Sequence, residues 1–534
     1  MVELKEYQRS TNPWYMPKKV FPVPSRVSLE KPIVGFACND NTFIESDGNI
    51  YNGLDIFERC IGKTYVSENE YRFSRFLSNV IGEEKTKELV LNKSIKIGKI
   101  IICSQSAGFN YMDIRSGNKH GKIMAFTGFG RDAVSCEMIA QQIFSSLNEI
   151  MHLPNLEPAI KVGERLLREF CLPALFKTTD MESTHLIKAV DAFDGGRTEV
   201  FHLGNYDKIY STDINAAYLS ELRNLPNLSP KFVEWVDCKE YRSDAIVGFI
   251  NCRIDMPSSK VGLLTFRFVT SDGRERMFYP TGTSTIQTIT KTEYDLLIKN
   301  NVKVEIESAS WAIPIYSVDY PFQVLFNKIQ EMAKYPILKQ YRKNIYSKIW
   351  GKMASTTSLI YNPFYASELT SRVRCRVADI AVRNIDSILG IKVDSIQSTS
   401  PLNEKISTEF GDMKEEHIGN AILCSDLYTY YPEEEKENNW FMGREHICLK
   451  SRVLGINDAM GEIYGMEDIG KKLEWDDDAY APIQSQYGSS KRLVNIKLTK
   501  DDLENSQFET KNPSTVEEMK DIAKNWRGDV SDLF

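Results

Sequence analysis

The chain is 534 residues long, 42% hydrophobic and 26% charged, with a formal net charge of −7; that length predicts two to four domains of ordinary globular composition. No apolar run approaches the length that spans a bilayer, and the N-terminal MVELKEYQRS is no signal peptide. Ten cysteines without one CxxC pair and six scattered histidines indicate neither a disulfide framework nor a zinc site, so a reduced, cytoplasmic protein is expected.

Residues 1 to about 185 mix strand-like runs (KIGKIIICSQS, GKIMAFTGF) with helical ones (EMIAQQIFSSLNEIM, AIKVGERLLREFCLPALF), the pattern of an α/β domain. A glycine pair, Gly195 and Gly196 in AFDGGRTEVFHLG, marks a turn. The stretch DKIYSTDINAAYLSEL then ends a short strand on Asp213 and carries Tyr218 five residues on. Taken alone, Asp213 reads as the N-cap of the helix NAAYLSEL.

Strands and helices alternate from about 190 to 425, and EMAKYPILKQYRKNIYSKIWGKMAS is the most helical part, with Pro336 near its first turn, where proline is tolerated. PFQVLFNKIQEMA precedes it across the short link AKYP, which predicts a helical hairpin. Between Lys328 and Lys352 seven lysines and arginines stand against one acid, Glu331. Such a stretch inside an acidic protein is the footprint of an anion-binding groove; a solvated helix face is the competing reading. Lys339 and Lys343 project to one side, with Arg342 one residue off that face. Trp350-Gly351-Lys352 follows, so a cationic stripe leads to an aromatic and a glycine, suited to a triphosphate and a flat base. The alternative is an amphipathic surface helix with Trp350 in the core.

In ILGIKVDSIQSTSP apolar residues flank Asp394, predicting a β-hairpin with a carboxylate near its tip. An acid there is costly unless a cation meets it. Asp213 and Asp394, from separate strands, together suit a pair of Mg²⁺ ions about 3.5–4 Å apart, the arrangement of in-line nucleotidyl transfer. Beyond 425 come charged loops (YPEEEKENN, WDDDAY), and the last 34 residues hold nine acids against four bases.

Taken in order, these motifs resemble the family B DNA polymerases, most closely the small protein-primed branch of phages and linear plasmids. Asp213-Ile214-Asn215-Ala216-Ala217-Tyr218-Leu219 is similar to the palm motif D-x-x-S-L-Y-P. Lys343 through Ser347 to Trp350-Gly351 is similar to the fingers motif K-x-x-x-N-S-x-Y-G. Lys392-Val393-Asp394-Ser395 is similar to Y-x-D-T-D-S, and Phe193-Asp194-Gly195-Gly196 to the Y-x-G-G turn. The resemblance implies an α/β (α+β) chain with a right-hand palm–fingers–thumb fold behind an RNase H-like exonuclease-type domain. Its divisions would be 1–185 (exonuclease-type), 186–425 (palm, with fingers at about 321–353) and 426–534 (thumb and acidic tail).

It further implies that Asp213, Asp394 and the backbone carbonyl of Ile214 hold Mg²⁺, or Mn²⁺ in its place. Tyr218 would sit beneath the sugar as a gate against ribonucleotides. Lys339, Lys343, Ser347, Trp350 and Gly351 would bind the nucleotide, and Phe193, Gly195, Gly196, Lys352 and Tyr428 the DNA. The implied partners are primer–template DNA and dNTPs, with a terminal protein primer or primer-independent starts as open alternatives, in replication of a phage or other mobile element and with no membrane role.

Several positions depart from the family pattern. Lys392 stands in place of the first Asp of its motif, Ser347 in place of Asn, and Trp350 in place of Tyr; of the thumb's Lys-x-Tyr only Tyr428 remains. The connection from Ser355 to Thr370 is short, so the insertion linked to strand displacement is expected to be reduced. No D-x-E occurs in KPIVGFACNDNTFIE, and GFNYMDIR, with Asn110 and Asp113, is only weakly similar to the second exonuclease motif. An RNase H-like domain with lost or impaired proofreading is the expectation, with Asp113 as an ordinary surface or capping acid the competing one. The terminal DVSDLF resembles peptides that dock bacterial sliding clamps, here through Leu533 and Phe534, against the alternative of a plain acidic tail. A catalytically lapsed nucleic-acid-binding scaffold is the second reading of the whole chain.

Overall fold

Alternation of apolar and polar residues places strands such as Ile100–Ser104 half-buried in an eight-stranded sheet. Its order is Ile50–Asn52, Thr42–Glu45, Ile33–Cys38, Thr64–Ser67, Lys119–Ala125, Tyr111–Ser116, Ile100–Ser104 and Ser94–Ile97. Ile33–Cys38, Thr64–Ser67 and Lys119–Ala125 run parallel, and the flanking pairs are antiparallel. The computed structural model describes residues 3–5, 31–39, 41–67, 70–104, 111–125, 132–172, 174–176, 182–269, 275–356, 358–424, 427–431 and 506–524.

Acids in this first sheet are engaged by neighbouring side chains. Buried Glu45 accepts from Arg59 at 2.5 and 3.1 Å and from the Tyr65 hydroxyl. Burial works against its charge, and those partners outweigh it, holding the carboxyl below its ordinary range. Asp113, on strand Tyr111–Ser116, accepts from the Tyr111 hydroxyl at 3.0 Å. Asn110 lies outside the described residues.

A second sheet has the order Glu3–Lys5, Ser284–Thr290, Val247–Asp255, Lys303–Pro314 and Val233–Cys238, with Trp311 wholly buried in its own core. The third runs Thr198–Val200, Ile388–Lys392, Ser395–Ser398, His202–Ile214, Met413–Cys424 and Leu427–Tyr431. Gln507–Glu509 also joins it, against His202–Gly204. The third sheet therefore draws strands from both sides of residue 425. Past the added strand, Thr510 donates to the Phe201 carbonyl at 2.9 Å, and Met519 of helix Val516–Lys524 is buried with Phe266 and Phe278. Part of the acidic C-terminal region thus packs on the body of the protein. Leu533 and Phe534 lie outside the described residues.

Helix Pro363–Arg383, with Pro363 in its first turn and Asn362 capping the Tyr365 amide at 3.3 Å, is buried along most of its length. It packs against helices Ser183–Asp191, Ala217–Leu222, Lys291–Lys299 and Lys339–Ala354. The basic segment forms helix Gln323–Glu331, two 3₁₀ turns (Met332–Lys334 and Pro336–Leu338) and helix Lys339–Ala354. Pro336 opens the second of these turns, where its missing amide costs nothing. Both helices lie against helix Ala159–Phe170. Tyr335 donates to Glu149 Oε2 at 2.6 Å and Tyr341 to the Glu157 carbonyl, which ties this segment to the N-terminal part. Among the described residues the cysteines are free thiols, and no helix is long and apolar enough to cross a membrane.

Candidate active site

Strand His202–Ile214 and the hairpin Ile388–Lys392/Ser395–Ser398 are neighbours in the third sheet, and this pairing brings the two acids together. Asp213 lies opposite Ser395, and the Ile214 amide donates to the Asp394 carbonyl at 2.9 Å. Both acids are half-buried. Asp213 is not the cap of the following helix. It belongs to the strand, and the N-cap of Ala217–Leu222 is Ala216, in left-handed conformation with φ +51°. The strand's pairing outcompetes the local capping preference of an Asp.

Val393 and Asp394 form the two-residue loop of the hairpin, and Val393 carries φ +60°. A β-branched residue is strained there, at about 1–2 kcal/mol. Two contacts hold it: its amide donates to the Arg197 carbonyl at 2.6 Å, and its methyls lie over Gly196. A Cβ on Gly196 would fall 2.8 Å from Val393 Cγ1 and 3.2 Å from Tyr218 Oη, whereas one on Gly195 would meet nothing nearer than 3.6 Å. Neither glycine has positive φ. Gly196 is thus required by close approach, at the point where the glycine turn, the Asp213 strand–helix and the Asp394 hairpin converge.

Sequence reasoning missed what holds that turn. Arg267, fully buried, donates to the carbonyls of Asp191 and Phe193 at 2.8 and 2.9 Å and to Asp194 Oδ1 at 3.1 Å. Arg374 donates to the carbonyls of Asp194 and Gly195 at 2.5 and 3.1 Å and to Glu293 at 2.6 Å. Arg197 pairs with Glu199 at 2.7 Å and lies over the Tyr279 ring. Nothing local in the sequence distinguishes these arginines from surface ones, because their partners lie up to 180 residues away.

On helix Lys339–Ala354 a buried face of Tyr341, Ile345, Ile349 and Met353 leaves Lys339, Lys343 and Ser347 exposed along the opposite side. Trp350 follows on that side and stacks on Tyr218, centroids 4.7 Å apart and planes at 15°. A side chain on Gly351 would meet nothing within 4 Å. Lys352 lies instead at the edge of the buried face, where burial and the nearby Lys161 lower its pKa despite Glu164. Phe193 is half-buried against the main core, and Tyr428 occupies strand Leu427–Tyr431 opposite Leu423.

Tyr346, one turn before Trp350, was also missed, although its i, i+3 and i, i+4 spacing to Lys343 and Trp350 was a legible signal. Burial raises its pKa; among the charges around it Arg342 lowers it, and Asp213 and Asp394 raise it. Phe410 packs against Tyr346 and Phe326, at 5.6 and 5.9 Å between centroids. The loop carrying Phe410 is fastened to the turn after Asp213. Asn215 Nδ2 donates to the Thr408 carbonyl at 2.6 Å, and the Gly411 amide donates to the Asn215 carbonyl at 2.8 Å.

No protein-family profile and no curated protein sequence matches the chain. Solved structures do. Phi29 DNA polymerase in an orthorhombic crystal form superposes with a TM-score of 0.55 at 14% identity, over 81% of this chain and 94% of that one. Phi29 DNA polymerase complexed with primer-template DNA and incoming nucleotide substrates gives 0.52 at 13% identity, over 85% and 94%. The chain shares the fold of Phi29 DNA polymerase. In this polymerase fold the expected motifs come from four separate stretches of sequence, and Asp213, Tyr218, Trp350, Asp394 and Gly196 meet at one place.

The donor chemistry there fits a divalent metal ion. Two carboxylates and the Ile214 carbonyl are hard oxygen donors of the kind Mg²⁺ or Mn²⁺ takes. Among the described residues a single cluster of three His, Cys, Asp or Glu ligand atoms occurs, Glu182–His185–Asp237, and it is elsewhere. There Lys188 already holds Asp237 at 3.1 Å. Among the described residues no third acidic, thiol or imidazole ligand therefore clusters with Asp213 and Asp394.

Proposed function

We propose that the protein is a template-directed DNA polymerase that adds dNTPs to a 3′-hydroxyl. The observation that carries this reading is the convergence of Asp213 and Asp394 near a helix that exposes Lys339 and Lys343 and stacks its half-buried Trp350 on Tyr218. A binding protein has no need to assemble paired acids, a phosphate-facing cationic stripe and a stacked aromatic pair at one place.

Asp213, Asp394 and the Ile214 carbonyl would hold the divalent ion, which when bound supplies positive charge to the phosphoryl oxygens. Lys339 and Lys343 neutralise the triphosphate and stabilise the departing pyrophosphate, since positioning and electrostatics do most of the work in this chemistry. The Tyr218–Trp350 stack sets the floor on which sugar and base rest, with Tyr218 excluding a 2′-hydroxyl. The open side of Gly351 leaves room for a base to approach the helix backbone. The 3′-hydroxyl gives up its proton to water as its oxygen bonds to the α-phosphorus, and the bond from that phosphorus to the α,β-bridging oxygen breaks, releasing pyrophosphate.

Extension of a primed single-stranded template with Mg²⁺ or Mn²⁺, beside Asp394→Ala, tests this. Extension by the parent and none by the variant supports the polymerase. Absence of extension with either ion, together with tight salt-sensitive DNA binding, supports the lapsed scaffold, a reading favoured by Lys392 in the metal-binding hairpin. Omitting the primer, or supplying a protein hydroxyl in its place, then addresses how synthesis starts.

A further inference from the structure

The third sheet sets five residues in one row across neighbouring antiparallel strands: Thr198, Lys392, Ser395, Asp213 and Lys414. Directly opposed residues share a face of the sheet. The character of this face is visible in its side-chain bonds. Ser395 Oγ lies 3.5 Å from Ser211 Oγ and accepts from Gln397 Nε2 at 3.3 Å, so the face carrying Asp213 is polar. The next row, Ile391, Ile396 and Thr212, turns the other way, and its two isoleucines enter the main core.

Asp213 therefore has a lysine on each side. Lys414 is its immediate neighbour on one flank. Lys392 is two strands away on the other, about 10 Å at the backbone by the usual strand spacing, across Ser395, which is small enough to be passed over. A lysine's flexible four-carbon stem spans such a gap and delivers a compact charge. Asp394 sits in the loop directly after Lys392 and Val393. The two acids are thus matched by two lysines on the same surface, and no third acid clusters with them among the described residues.

We infer that Lys392 is a built-in cation of the site, standing where a second divalent ion would otherwise be bound, so that Asp213 and Asp394 retain one divalent ion, the one that arrives with the nucleotide. This rests on the polymerase reading above and specifies the metal requirement of that site. The physical reason is charge. Two carboxylates with two lysines brought beside them by strand register offer little net attraction to a free divalent ion, whereas the same carboxylates receive an ion already carried by a triphosphate whose remaining charge Lys339 and Lys343 meet. Lys392 acts as a positioning residue, through the acids.

The test is Mn²⁺ binding to the full chain followed by electron paramagnetic resonance, first with Mn²⁺ alone and then with Mn²⁺ and a non-hydrolysable dNTP on a dideoxy-terminated primer–template. The parent should bind no Mn²⁺ at this site without nucleotide and one with it. Lys392→Asp should gain a nucleotide-independent ion and hold two in the ternary complex, with affinity raised about 10- to 100-fold, the range seen when groups around metal ligands are changed. Lys392→Met, which removes the charge and adds no ligand, should fall between, and Asp213→Asn in the Lys392→Asp background should abolish the gain. Two ions in the parent complex, or Mn²⁺ affinities within twofold across parent, Lys392→Asp and Lys392→Met, would overturn the inference. Failure of the polymerase reading appears separately, as absent primer extension in the parent and in both variants, because the ion count with Mn²⁺ alone does not depend on turnover.

Discussion

Trp350 lies flat on Tyr218 although 132 residues separate them in the chain, with ring centroids 4.7 Å apart and the planes within 15°. A parallel aromatic contact contributes about 0.5–1.5 kcal/mol beyond the area it buries. Trp350→Ala should raise the KM for dNTPs roughly 2- to 10-fold by that energy, and Trp350→Tyr should recover most of it. Tyr218→Ala should relax discrimination against ribonucleotides while leaving DNA binding intact. Single-nucleotide incorporation with paired dNTP and rNTP checks both, and an unchanged dNTP/rNTP ratio in Tyr218→Ala would remove the gate from the account.

The two glycines of the turn should respond differently. Gly196→Ala meets Val393 Cγ1 at 2.8 Å and should cost about 1–3 kcal/mol as an overpacked site. Gly195→Ala makes only an ordinary contact, with Met277 at 3.6 Å, and has no positive φ, so it should be neutral or slightly stabilising. Val393→Ala should recover part of the loss in Gly196→Ala, because it removes the clashing methyls. Thermal unfolding of the four proteins would decide, and equal shifts for the two glycine variants would refute the close-approach argument.

Gly351 is a helix-interior glycine whose replacement meets nothing. Gly351→Ala should stabilise the free protein by about 1 kcal/mol through helix propensity alone. If the space is used by a base, the same change should weaken extension. Higher Tm with lower kcat/KM is the expected pairing, and a gain in both would show that the space is not used.

Lysines on the two sides of helix Lys339–Ala354 should separate in their effects. Lys343→Ala should lower kcat/KM by about 10- to 100-fold, on the scale of a charge-assisted hydrogen bond of about 1.5–3 kcal/mol. Lys352→Ala should leave nucleotide kinetics near those of the parent, since Lys352 is half-buried at the edge of the core-facing side of the helix, away from Lys339 and Lys343. Steady-state kinetics over a dNTP titration distinguishes them; equal losses would place Lys352 at the nucleotide after all.

Arg374 is buried between Glu293 and the carbonyls of Asp194 and Gly195. Removing it leaves the buried Glu293 carboxylate without its ion-pair partner, so Arg374→Ala should destabilise by about 3–5 kcal/mol. Urea unfolding reads this directly. A loss under 1 kcal/mol would mean that the turn is held by Arg267 alone.

Much of the candidate site was legible along the chain because the chemistry it would use is local in sequence. Asp213 and Tyr218 share one strand–helix, Lys339, Lys343 and Trp350 share one helix, and Asp394 marks the tip of one hairpin, so residue type and spacing suffice to nominate them. Periodicity likewise exposed the α/β character, since burial on one face repeats every two or every three to four residues.

What the tertiary structure decided is which of these pieces touch. Local propensity assigns Asp213 to a cap, and only pairing with the distant hairpin makes it the last acid of a strand. The demand on Gly196 comes from Val393 and Tyr218, and the burial of Arg267 and Arg374 from carbonyls far along the chain. Lys352, Tyr346 and Lys392 depend in the same way on helix packing and strand register. Sequence determines the chemistry each segment carries through short-range sterics and polarity. Close approach, burial and shared faces depend on long-range packing, in which a one-residue change of register would turn each side chain of a strand to the opposite face.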